Sequence, residues 1–204
     1  ATTSSNVGTY AITQGTLAAS ANYSVTYNGA NLTILPRPLT VTYTASAASR
    51  TYGDANPALT GSVISVGLVN GDSLGGAPVW STPATATSAV GAYRITGSGL
   101  SASGNYRLTT VQAAGNATAL TINPRAITIT ADALTRYYGS PNPAFSYTIG
   151  GQGLVNGDKL VGSLATSATI PSAPGDYAIV RGSLWASPNY AVTYTGANLT
   201  IIPR

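Results

Sequence analysis

The chain has 204 residues, with nine Lys and Arg, five Asp, no Glu, no His, no Cys and no Met, and a net charge of +4. Without imidazole or thiol it has no histidine base, no cysteine nucleophile and no soft-metal ligand set, so no catalytic residue, cofactor or metal site is assigned. Charged residues are only 7% against 44% hydrophobic, far below the quarter or so usual in soluble domains.

The surface must therefore be covered by Ser, Thr, Asn, Gly and Ala. A charge-poor chain without thiols suits export to the bacterial surface, because a long exported chain that stays unfolded has nothing to cross-link. Its arginines are scattered, with no basic run interleaved with aromatic residues, so nucleic acid is not an expected partner. No apolar run reaches the roughly 18 residues needed to span a bilayer, and membrane insertion is not expected. Residues 1–20 show neither the charged start nor the apolar block of a signal peptide. The expectation is a portion of something larger.

In chain order, the first pattern is "NYSVTYNGANLTILPR" at 22–37, which returns as "NYAVTYTGANLTIIPR" at 189–204. Tyr23, Val25 and Tyr27 alternate with polar residues, Asn28-Gly29 supplies a turn able to adopt positive φ, and Leu32 and Ile34 alternate again. That predicts strand, turn, strand. Leu39, Val41 and Tyr43 then alternate with threonine, as do Ile127 and Ile129 later, each the pattern of a strand with one buried face.

Next come "YGDANP" (52–57) and "GLVNGD" (67–72), which recur as "YGSPNP" (138–143) and "GLVNGD" (153–158), both at an offset of 86. "GAYRI" at 91–95 matches "GDYAI" at 175–179, and "LTINPR" ending at Arg125 matches "LTIIPR" ending at Arg204. The chain is thus the C-terminal part of one module (1–37), then two complete modules (38–125 and 126–204). The middle copy carries five extra residues around "AAGNA", since Asn105 to Leu120 takes 15 steps where Asn189 to Leu199 takes 10. Insertions gather at exposed tips, so a hairpin tip is expected there. No stretch has a sustained helical period, and the helix-like candidate is a single turn around each GLVNGD.

GLVNGD could present Asp72 and Asp158 to calcium, but a calcium loop needs oxygen side chains at alternating positions, and here one Asp stands with one Asn. The other aspartates do not repeat either: Asp54 aligns with Ser140, and Asp176 with Ala92. A structural turn asks less: Asn70-Gly71 and Asn156-Gly157 allow positive φ, and Asp72 and Asp158 accept nearby backbone N–H groups. Tyr52-Gly53 and Tyr138-Gly139, before Asn56-Pro57 and Asn142-Pro143, are read as turn anchors. Trp80 aligns with Thr166, and Trp185 with Ser101 and Ala18. These unrepeated tryptophans are the candidate ligand contacts, for a sugar ring or a partner module, against the plainer reading that each fills a gap.

The ordered set YGxxNP, GLVNGD, "VGAY" or "PGDY", "NY" and "LTI" resembles the MBG domain of the YGX type, over both complete modules and the partial one. The resemblance implies a β-grasp-like module (alternatively an Ig-like β-sandwich), repeated in large bacterial surface adhesins similar to filamentous haemagglutinin and exported by two-partner secretion. It implies an extracellular or cell-surface location and a role in adhesion or biofilm, with these modules often serving as stalk. Residues 1–37 depart from the pattern in lacking the YGxxNP and GLVNGD portions.

The modules meet at Leu35-Pro36-Arg37-Pro38-Leu39 and Asn123-Pro124-Arg125-Ala126, with almost no linker. Proline stiffens such connections, so the fold expected is mainly β, with small modules in a semi-rigid rod. The partial module should leave strand edges unpaired. The function expected is a structural spacer whose partners are neighbouring modules of the same chain. The alternative is a binding module for host or matrix glycans or for other copies of itself.

Overall fold

The structure, a computed structural model, describes residues 1–204. As expected it is mainly β. The partial copy contributes β1 (Gly8–Ile12) and β2 (Ala30–Ile34). The middle copy contributes β3 (Arg37–Ala45), β4 (Ala48–Thr51), β5 (Gly61–Val66), β6 (Gly75–Ser81), β7 (Gly91–Tyr93), β8 (Thr96–Ser101), β9 (Tyr106–Gln112) and β10 (Leu120–Asn123). The last copy contributes β11 (Arg125–Ala131), β12 (Leu134–Tyr137), β13 (Tyr147–Gly151), β14 (Ala165–Thr166), β15 (Gly175–Val180), β16 (Tyr190–Thr195) and β17 (Ala197–Ile202). The chain forms two compact units, one of Ala1–Ser46, Leu59–Ser81 and Ile95–Ala117, the other of Ala47–Ala58, Thr82–Arg94 and Thr118–Arg204.

The second unit holds the last copy whole. There β11 lies between β13, antiparallel, and β16, parallel, while β17 lies between β12, parallel, and β15, antiparallel, with β14 outside β15. Threonines alternate with Ile127 and Ile129 on β11, and Asn198 and Thr200 alternate with Leu199 and Ile201 on β17, so one face of each strand is apolar and buried. These faces close on Ile179, Leu164 and Leu184 to form one core between two sheets. Each such side chain contributes roughly 1.5 to 3 kcal/mol. The same unit contains β4–β10–β7, paired as β12–β17–β15 are.

In the first unit β3 lies between β5 and β9, and β6 pairs with β8. Tyr43 is buried there, its hydroxyl accepting from the Leu100 N–H at 3.1 Å, with Trp80 edge-on at 5.9 Å. Gly97 is required at this point because a Cβ would run into the Tyr43 ring.

Two expectations are overturned. Residues 22–34 are not a hairpin: Tyr23 to Tyr27 form no strand, and β2 pairs instead with β1. In the complete copies the matching strands β9 and β16 pair in parallel with β3 and β11, and residues 1–37 contain no counterpart of those two. Consequently Tyr23 is 74% exposed where Tyr106 and Tyr190 are 8% and 7%, and Leu32 is 47% exposed where Leu120 and Leu199 are buried. The glycine between the two segments serves a close approach to another strand's backbone. Neither Asn28 nor Gly29 has positive φ. A Cβ on Gly29 would lie 3.2 Å from the Ile12 carbonyl oxygen, as one on Gly196 would lie 3.0 Å from that of Ile179.

The insertion in the middle copy is exposed as expected, except at Asn116, but it is not a hairpin tip, since β9 and β10 on either side of it belong to different sheets. It forms a 3₁₀ turn, Ala114–Thr118, whose Asn116 is buried. Asn116 Oδ1 accepts from the Ala45 N–H at 2.7 Å, and its Nδ2 donates to the Tyr43 carbonyl and to Gln112 Oε1, each at 3.0 Å. The polar side chain satisfies backbone groups at the end of β3 that would otherwise lack partners, which fixes Asn116 inward while its neighbours stay exposed.

Candidate functional site: the repeated module joint

The motifs gather where one copy meets the next, once inside each compact unit. In the second unit the Val90 N–H donates to Asn189 Oδ1 at 2.9 Å and Asn156 Nδ2 to the Ala86 carbonyl at 3.3 Å. In the first unit the Val7 N–H donates to Asn105 Oδ1 at 2.9 Å and Asn70 Nδ2 to the Thr3 carbonyl at 3.4 Å. The closing arginines follow suit. The Arg37 N–H reaches the Asn105 carbonyl and the Arg125 N–H that of Asn189, both at 2.9 Å.

Each GLVNGD is a tight turn: Asn70 and Asn156 sit at φ 58°, Gly71 and Gly157 at 78°, and the Asp N–H returns to the carbonyl of Val69 or Val155 at 2.9 Å. The aspartate's side chain holds the tyrosine of the Asn-Tyr motif. Tyr106 donates to Asp72 Oδ2 at 2.7 Å and Tyr190 to Asp158 Oδ2 at 2.8 Å, while each phenol oxygen accepts from the valine N–H of its turn. Asp158 Oδ2 also accepts from Tyr52 at 3.0 Å, and the Tyr52 and Tyr190 rings meet edge-on at 5.6 Å. Gly53, at φ 87°, lies so close to Val155 that no Cβ would fit. Arg125 completes the joint, donating from Nη1 to the Tyr52 carbonyl at 3.2 Å and to Asp54 Oδ1 at 2.9 Å, and from Nη2 to the Gln152 carbonyl at 2.9 Å.

So Tyr52 and Gly53, in one copy, lock onto Asp158 and Val155 of the next. Asn56-Pro57 and Asn142-Pro143 act one step back from the joint. Asn56 and Asn142 accept at Oδ1 from Nε of Arg50 and Arg136, each at 2.7 Å, and donate to the carbonyls of Ala84 and Ala168. Sequence reading missed these buried arginines. The signal was present: an Arg stands two residues before Tyr-Gly in both copies.

Of the two tryptophans, Trp80 is half-buried against Tyr43, and Trp185 is 49% exposed beside Val161, with which it exchanges two backbone hydrogen bonds. They lie in different units.

The hydrogen bond to Asp72 holds the Tyr106 hydroxyl above its ordinary pKa, and burial, followed by the Asp158 contact, raises that of Tyr190. Both phenols therefore keep their protons longer in the folded chain. Their contribution to stability is complete below the ordinary tyrosine value of about 10 and is lost as pH rises through the raised folded values. Urea midpoints should accordingly fall from about pH 10 upward, and Tyr190→Phe should flatten that fall. An unchanged alkaline slope in the variant would contradict this role.

Small β modules that meet through the same side-chain-to-backbone contacts make a tandem repeat. The family pattern of the MBG domain (YGX type) matches residues 1–33, 41–116 and 127–200. The chain belongs to that family. No curated protein and no solved structure matches it.

Proposed function

We propose that the chain is a spacer segment of a bacterial cell-surface or secreted adhesin, holding a binding tip away from the cell in adhesion or biofilm. The observation that carries this reading is the repeated joint: the family's motif residues hold module to module, and Asp72 and Asp158 are engaged by tyrosine hydroxyls. Proline-stiffened connections without a linker support a semi-rigid rod. Export resembling that of filamentous haemagglutinin belongs to the same proposal.

The alternative, a glycan-binding module, rests on the exposed indole of Trp185. A glycan array probed with the chain and with Trp185→Ala separates the two. The spacer reading expects no retained glycan, together with antibody labelling of the chain on intact cells of the producing bacterium. A glycan held by the chain and lost with Trp185→Ala would replace spacer by binding module.

A further inference from the structure

The joint in the second unit rests on a turn whose two central residues are Asn156 and Gly157. Asparagine is a chemically labile residue, most of all before glycine, which has no side chain to shield its backbone nitrogen. Its deamidation uses only the chain and water. The Gly157 nitrogen, giving up its proton, bonds to Asn156 Cγ while the side-chain amide leaves as ammonia. Water then opens the five-membered imide at either carbonyl, leaving aspartate or isoaspartate at position 156. Nothing is oxidised or reduced. Both residues are exposed, and a Cβ on Gly157 would meet nothing within 4 Å, so water and the imide ring have room.

The closed joint opposes that step in two ways. Positive φ at both residues, 58° and 78°, with the Asp158 N–H on the Val155 carbonyl at 2.9 Å, defines a two-residue turn of type I′. In such a turn the Cα–C torsion of the first central residue is about +30°, which swings the following nitrogen to the side of Cα away from Cβ. Gly157 N is thereby held away from Asn156 Cγ. The leaving group is also occupied, since Asn156 Nδ2 donates to the Ala86 carbonyl of the preceding copy at 3.3 Å. Asp158, the last residue of the turn, is held by Tyr52 at 3.0 Å and Tyr190 at 2.8 Å, so unwinding the turn means parting the joint's own hydrogen bonds.

We propose that Asn156-Gly157 is a self-modification site governed by the joint: it keeps its amide while the joint is closed, and a joint that opens and deamidates there does not lock again. The chemistry of the product accounts for the second half. An aspartate carboxylate at position 156 has no N–H for the Ala86 carbonyl and sets oxygen against oxygen. Isoaspartate adds a carbon to the main chain, which carries Asp158 away from the Tyr52 hydroxyl. Deamidation thus records that a module has parted from its neighbour. The inference rests on the joint geometry and holds whether or not the chain is an adhesin spacer.

The test is peptide mapping by mass spectrometry of the whole chain aged in mildly alkaline buffer. Conversion at Asn156 should run at least about tenfold slower in the folded chain than in urea. Gly53→Ala, whose Cβ would overlap Val155, should speed conversion in the folded chain at least about threefold. Tyr52→Phe, which removes only the hydroxyl bond to Asp158, is the second variant if Gly53→Ala does not fold. Gly139→Ala has similar backbone strain outside this joint and should leave the rate unchanged. For relocking, Asn28→Gly and Asn70→Gly together leave position 156 as the remaining Asn-Gly. That chain, aged in urea, should refold with a lower urea midpoint than when fresh, and adding Asn156→Gly should abolish the difference. Equal rates in folded and unfolded chains would overturn the proposal. So would Gly53→Ala and Tyr52→Phe without effect, a Gly139→Ala chain accelerated as much as Gly53→Ala, or an aged chain that refolds with its midpoint unchanged.

Discussion

Replacing Arg136 by alanine is expected to lower the stability of the second unit by at least about 1.5 to 3 kcal/mol, the worth of one hydrogen bond to a charged donor, because Arg136 makes three such bonds. Arg136 is buried without a carboxylate. Its charge is balanced by neutral oxygens: Asn142 Oδ1 at 2.7 Å, the Thr169 carbonyl at 2.6 Å and the Tyr137 carbonyl at 3.2 Å. Alanine would leave all three without this part-buried donor, and hydrogen bonds to a charged donor are worth about 1.5 to 3 kcal/mol each. Lysine keeps the charge but loses the planar fork, so Arg136→Lys should recover only part of the loss. Asn142→Ala, which leaves the Arg136 Nε and the Ala168 carbonyl unpartnered, should cost about 1 to 3 kcal/mol. Urea unfolding followed by tyrosine and tryptophan fluorescence measures all three. A loss below about 1 kcal/mol for Arg136→Ala would mean that water reaches the site.

Gly53→Ala is the second large effect, and Gly139→Ala is its internal control. Both glycines have φ near +80°, so alanine at either adds backbone strain of about 1 to 2 kcal/mol. At Gly139 a Cβ meets nothing within 4 Å, whereas at Gly53 it would overlap Val155. Overpacking adds about 1 to 3 kcal/mol, giving Gly53→Ala a total of about 2 to 5 kcal/mol. The excess over Gly139→Ala reports the joint alone, and Val155→Ala made together with Gly53→Ala should recover much of it. Equal effects at the two glycines would show that Tyr52-Gly53 does not engage Val155 in solution.

Those two turns show why part of the molecule was legible in its sequence. Wherever a feature depends on residues within four positions, the three copies agree. Tyr10, Tyr93 and Tyr177 each donate to the carbonyl four residues before them. The N–H groups of Tyr23, Tyr106 and Tyr190 each close a turn onto the serine three residues back, at 3.0 Å, even where Tyr23 enters no sheet. The mainly β class, the family and the positive φ of Asn70 and Asn156 are of this kind.

Tertiary structure alone decided which strand pairs with which. Alternation tells which face of a strand is apolar and says nothing of its neighbour, so Tyr23–Tyr27 and Leu32–Ile34 read as a hairpin although their counterparts belong to different sheets. It also decided that Asn116 is buried, that Arg50 and Arg136 stand behind the Tyr-Gly turns, and that Tyr52 meets Asp158 across 106 residues. In a sequence of repeats each motif reads as a turn within its own module. Only the packed chain brings the turn of one module against the carboxylate of the next, because that bond joins residues which no local pattern relates.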